Sequence, residues 1–152
     1  MGAVTYPHPD VVKELHDNFV AVKIESAKAP DLARRMNARW LPGLIVAGAD
    51  ERPAHTQIGF LPPEDFILEL HFGRAIVAMS RKLYDEAHRL FAEIAARVEA
   101  ERAPEACYWW GISAYRQSKN FADCQEHWAR IVARWPESLW TRKVSYALDH
   151  RA

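Results

Sequence analysis

The chain has little cysteine, no excess of either charge, and no long apolar run. Cys107 and Cys124 are the only two thiols in 152 residues. Two are too few for a disulfide framework, and they lack the C-x-x-C spacing of a redox or zinc motif. They read as buried thiols. Lys plus Arg number 20 and Asp plus Glu number 20, so the formal net charge is zero. No overall field then favours nucleic acid or an anionic membrane. No window approaches the unbroken apolar length of a membrane span, and the start, "MGAVTYPHPDVVKEL", has no apolar core of signal-peptide type. A cytoplasmic protein that binds neither nucleic acid nor membrane is the expectation. His8, His16, His55, His71, His88, His127 and His150 are scattered and form no H-x-x-x-H or other close pair, so no metal site is expected. Glu64, Asp65 and Glu69 suggest an acid–base cluster, but two of them are simply charges favoured at a helix N-terminus. No nucleophile, Gly-rich phosphate loop or oxyanion constellation accompanies them, which leaves no catalytic residue and no cofactor to name.

The apolar share, 49%, is ample for a core. "DVVKELHDNF" spaces Val11, Val12, Leu15 and Phe19 as a helix, with Asp10 placed to cap it. "FVAVKIE" is apolar and β-branched, the pattern of a buried strand. "APDLARRMNARW" predicts a second helix, with Pro30 near its first turn and Leu32 and Met36 on one face. "GLIVAGA" and "AHTQIGF" predict two further strands, joined as a hairpin through the polar turn "DERP". The strand ends at Pro62-Pro63, and "EDFILELHFGRAIVAMSRKL" starts a long helix with acidic residues at its positive end.

From there the pattern is helical only. "YDEAHRLFAEI" and "FADCQEHWARI" repeat each other: Tyr84, Ala87, Phe91 and Ile94 match Phe121, Cys124, Trp128 and Ile131. Self-similarity of this kind inside helical hairpins signals a stacked repeat, in which a small residue lets two helices approach and the aromatic beyond it fills the groove. Pro136 closes the second unit, and "ESLWTRKVSYAL" has the periodicity and polar outer face of a capping helix.

"YWWGISAYRQSKNFADCQEHWARIVARWP" resembles the tetratricopeptide repeat, with its aromatic-Gly, aromatic, small, aromatic and Pro positions in order. It carries one extra residue between Gly111 and Phe121, and Cys124 sits where alanine is usual. The first half is similar to the C-terminal part of a thioredoxin-like domain. "YPHPDVVKELHDNFVAVKIE" matches the stretch after the redox helix, "ARRMNARWLPGLIVAG" the segment with the family's cis-proline, and "IGFLPPEDFILEL" the closing strand and helix. The expected fold is therefore α/β plus all-α: residues 1–68 as a truncated thioredoxin-like sheet of about three strands, and residues 69–152 as TPR-like helical hairpins with a capping helix. The resemblance puts Pro42 at the cis-proline position, with Gly43 replacing the usual threonine.

In that family's sheet a central strand lies between the equivalents of "FVAVKI" and "GLIVAG", and both runs are too apolar to stand as open edges. Either the two strands pair directly or another chain fills the gap, which makes a homodimer the first structural expectation. The candidate partner-binding residues fall in two places. Trp40 and Pro42 form either a lip for a peptide or a cap on the sheet. Tyr108, Ile112, Tyr115 and Arg116 share the inner face of the leading repeat helix, suited to a partner's helix or acidic terminus unless a neighbouring helix or the capping segment buries it. The functional expectation is a non-enzymatic interaction or assembly module. The alternatives are a thiol–disulfide oxidoreductase whose C-x-x-C lies upstream of Met1, and a small-ligand carrier using the Trp-rich helices or the open sheet face.

Overall fold

The computed structural model describes residues 1–149, so His150 lies outside the described residues. The chain divides into two compact units, Met1–Gly73 and the residues from Arg74 on. Seven helices and one two-stranded sheet make up the described secondary structure.

The first unit opens with α1, Pro9–Asn18. Its N-cap is His8 and not Asp10, because the ring of Pro9 fixes the helical φ at the first position and leaves Asp10 in the first turn. Helix α2, Pro30–Arg35, is shorter than the sequence pattern suggests, since Asn37 enters the left-handed region at φ 53° and ends the turn. β1, Gly43–Ala47, pairs antiparallel with β2, Pro53–Ile58, in a register that sets Gly43 opposite Ile58 and Val46 opposite His55. A bulge at Val46/Ala47 leads into the turn, where Glu51 has φ 59° and Asp50 Oδ1 accepts the Arg52 N–H.

The sheet has two strands, not about three. Phe19–Glu25, expected as a buried strand, is a non-helical segment without ladder hydrogen bonds. Val20 is 97% exposed and Val22 73%. A β-branched run becomes a strand only where another strand offers its N–H and C=O groups, and among the described residues none does here.

Helix α3, Pro63–Ser80, begins behind Pro62 with Glu64 and Asp65 in its first turn. Its Phe66, Leu70 and Phe72 are buried with Val11 and Val46 as the core of the first unit. Tyr6 meets Phe66 edge to face at 5.7 Å, and the buried Thr5 hydroxyl donates to the Leu61 carbonyl at 2.5 Å. Gly73 lies so close to β1 that a Cβ there would stand 2.6 Å from the Val46 Cβ. Alanine ordinarily favours a helix interior over glycine by about 1 kcal/mol. Here Gly73→Ala is expected to destabilise the first unit by about 1–3 kcal/mol through overpacking. Urea unfolding followed by circular dichroism checks the direction: a raised midpoint would contradict the close approach.

The second unit contains α4 (Tyr84–Ala95), α5 (Ala103–Ser118), α6 (Phe121–Arg134) and α7 (Leu139–Asp149). Tyr84 meets Arg116, His88 meets Ser113 and Phe91 meets Trp109, so α4 and α5 run in opposite directions. The same logic holds for α5 and α6, where Tyr115 meets Phe121 and Tyr108 meets Trp128. Gly111 permits that second contact: a Cβ on it would lie 2.9 Å from the Cys124 carbonyl and 3.1 Å from the Trp128 ring. Asn120 caps α6 by accepting the Ala122 N–H at 3.1 Å. Helix α7 buries Val144, and the Thr141 hydroxyl donates to the Trp135 carbonyl at 2.6 Å. The self-similar positions Ala87, Phe91, Ile94, Cys124, Trp128 and Ile131 are all buried.

Candidate functional site

In the first unit, backbone geometry brings two apolar loops to one end of the hairpin. The Leu41–Pro42 bond is cis, and the Pro42 carbonyl accepts the Gly59 N–H at 2.8 Å. Gly59 takes φ +102°, a conformation that suits glycine and turns the chain out of β2. Trp40 and Leu41 on one loop are 69% and 64% exposed, and Ile58 and Phe60 on the other are also exposed. Trp40 and Pro42 therefore stand together at the surface, and Trp40 does not cap the sheet by burying its ring.

The same unit exposes Phe19–Glu25. Phe19 leaves α1 with extended dihedrals, φ −139° and ψ 154°. Val20, Val22 and Ile24 fall at strand spacing and are all exposed, while Lys23 sets its ammonium 5.8 Å above the Tyr6 ring. Among the described residues, no backbone group of Val20 through Ile24 is hydrogen-bonded to another backbone group. Apolar side chains on an unpaired backbone are the two ingredients of strand addition, and monomeric proteins ordinarily blunt them.

In the second unit the four α5 residues part company. Tyr108 stacks on Trp128 at 5.1 Å with an interplanar angle of 6°, and Trp140 of α7 lies 4.9 Å from it. The capping helix and α6 thus occupy its ring. Ile112 is half-buried beside it, and Tyr115 reaches the surface against the edge of Phe121 at 6.1 Å. Arg116 turns to α4 instead: its Nε and Nη2 donate to the Tyr84 hydroxyl at 3.0 and 2.8 Å, and its guanidinium covers the Tyr84 ring. Tyr108 is covered by α6 and α7, Tyr115 is left at the surface, and Arg116 belongs to the α4–α5 contact.

A cluster that the sequence did not reveal lies across α4, α5 and α6. Trp110 Nε1 donates to His88 Nε2 at 2.9 Å, and the Ser113 hydroxyl lies 3.3 Å from His88 Nδ1. His127 packs against Trp110 at 4.1 Å and against His88 at 5.8 Å, with Arg130 stacked 5.0 Å over the far indole. His127 is only 8% exposed, and its Nδ1 is buried without a hydrogen-bond partner among the described residues. Burial, with Arg130 and His88 adding to it, pushes the His127 imidazole down to about 4, and burial lowers His88 as well. The only sequence signal was a second tryptophan beside Trp109, pointing about 100° away along the helix.

Both thiols are buried, and desolvation pushes Cys107 up to about 11 and Cys124 up to about 12. Cys107 Sγ donates to the His127 carbonyl at 3.4 Å. In the first unit, His55 Nε2 and Glu69 Oε2 are 2.5 Å apart and His71 Nε2 lies 3.1 Å from Glu14 Oε1, pairs that tie α3 to β2 and to α1. Among the described residues no group of three or more metal-ligating side chains converges, and no helix is long and apolar enough to cross a membrane. Comparison with protein-family models, with curated proteins and with solved structures finds no match for this chain.

Proposed function

We propose that this protein is a non-enzymatic interaction and assembly module, a redox-inactive thioredoxin-like unit joined to a short TPR-like helical array, which associates with a second copy of itself through its incomplete sheet. The observation that carries this reading is the run Phe19–Glu25, with Val20, Val22 and Ile24 exposed on a backbone that has no partner strand among the described residues. Leaving such a run bare costs solubility, and pairing it with another chain removes both the open backbone groups and the apolar surface. The zero net charge adds no repulsion between copies. The chain's own cysteines argue against exchange chemistry by its own thiols, because a nucleophilic thiolate needs a lowered pKa and access, and both thiols are buried and shifted upward.

Absolute mass by light scattering over a dilution series tests the reading. The expected result is twice the 17.4 kDa of one chain at high concentration, falling toward one chain on dilution. A mass of one chain throughout the series would overturn it.

A further inference from the structure

The geometry points to a specific pairing: residues 19–25 of two copies lie antiparallel about a two-fold axis through Val22, each filling the other's open edge. This rests on the self-association proposed above and adds the segment, the direction and the register. The run is short enough for the alternatives to be eliminated one by one.

In an extended ladder Val20, Val22 and Ile24 would share one face, with Ala21 and Lys23 on the other; all five are exposed, and Lys23 sits over its own Tyr6. Residues directly opposite in an antiparallel ladder point to the same side. The apolar faces of two copies therefore coincide only when the paired residue numbers sum to an even value, since a one-residue slip reverses the face. Centring the axis on Lys23 sets Lys23 against Lys23 of the second copy, a like-charge pair directly opposed. Centring it on Ala21 sets Ile24 against Asn18, which α1 already holds in its last turn. Centring it on Val22 sets Val22 against Val22 and Val20 against Ile24, while Lys23 faces Ala21 and Glu25 faces Phe19. Every apolar β-branched residue then meets another, and no charge meets its like. A parallel in-register pair would align Lys23 with Lys23 and Glu25 with Glu25 along the whole ladder. The pairing is isologous and closes at two chains, as a two-fold interface must.

Single cysteines placed in the full-length chain read the register directly. In the proposed pair the Cα atoms at position 22 stand about 4.5–5.5 Å apart, within the range a disulfide spans. Position 20 lies four residues from position 20 of the second copy, roughly 13 Å away. Under mild oxidation Val22→Cys is expected to form covalent dimer about tenfold faster than Val20→Cys or Ile24→Cys alone. An equimolar mixture of Val20→Cys and Ile24→Cys is expected to link at about half the rate of Val22→Cys, because half of the randomly paired dimers set position 20 against position 24. The wild-type chain, whose two thiols are buried, serves as the blank. Equal self-linking at all three positions would mean a parallel ladder and overturn the proposal. No linking above the blank, in samples that light scattering shows to be dimeric, would place the interface elsewhere and overturn the register while leaving self-association standing. A monomeric mass for every variant and for the wild type would overturn both.

Discussion

Phe91→Ala is expected to cost the second unit about 3–5 kcal/mol, the range for deleting a fully buried phenylalanine. Phe91 has no exposed surface and lies on the α5 side of α4, its ring stacked at 6.4 Å and 20° on Trp109. Helix packing cannot collapse into the space without moving the indole, so the cavity term adds to the lost transfer energy. A loss of this size is a large share of the roughly 5–15 kcal/mol that holds a domain folded. Phe121→Ala is the contrasting variant, because Phe121 is 45% exposed and touches Trp128 and Tyr115 only through edge contacts at 5.7 and 6.1 Å. Its cost is expected near 1 kcal/mol, the scale of an aromatic pair beyond its buried area. Tryptophan fluorescence during urea unfolding reads both, since Trp109, Trp110, Trp128, Trp135 and Trp140 all lie in this unit. Equal losses for the two variants would contradict the packing described.

The contrast also shows what periodicity can read. Helices α4, α6 and α7 are legible because a 3.6-residue repeat of apolar positions needs only the helix itself to be realised, and burial then follows from the stripe; α3 is marked instead by the acidic residues behind Pro62-Pro63. The small positions Ala87 and Cys124 and the aromatics Phe91 and Trp128 were found from spacing alone, and all four are buried. The hairpin of β1 and β2 was legible for the same reason, its partner being a few residues away. Phe19–Glu25 carries the strand composition without the strand, because a ladder requires a second backbone and composition cannot say whether one is at hand. Helical spacing sets Arg116 beside Tyr115, yet neighbouring residues diverge by about 100° on a helix. The phenol of Tyr84 across the α4–α5 contact decided which way its guanidinium turned. His88 and His127 were invisible as a pair. They lie on different helices and meet only because α4 and α6 both pack on α5 around Trp110.

That last convergence makes the second unit acid-sensitive. His127 is held neutral with its pKa pushed down to about 4 by burial, Arg130 and His88, while Glu126 and Asp123 pull weakly the other way. In the unfolded chain a histidine titrates near 6.5. Above that value neither state carries the proton, and the full stability is present. Between about 6.5 and 4 the unfolded chain takes up a proton that the folded chain refuses, so stability falls as pH falls. Below about 4 both states are protonated and this contribution is flat. Each histidine that behaves this way gives a slope of about 1.4 kcal/mol per pH unit across its window. The total for His127 is of the order of 3 kcal/mol, with His88, also shifted downward, adding in the same sense. Urea midpoints from pH 7.5 to 5 are expected to decline with decreasing pH, and His127→Gln is expected to remove about one proton's worth of that slope. A His127→Gln profile parallel to that of the wild type would show that the imidazole in the α4–α6 cluster is not held neutral by its surroundings.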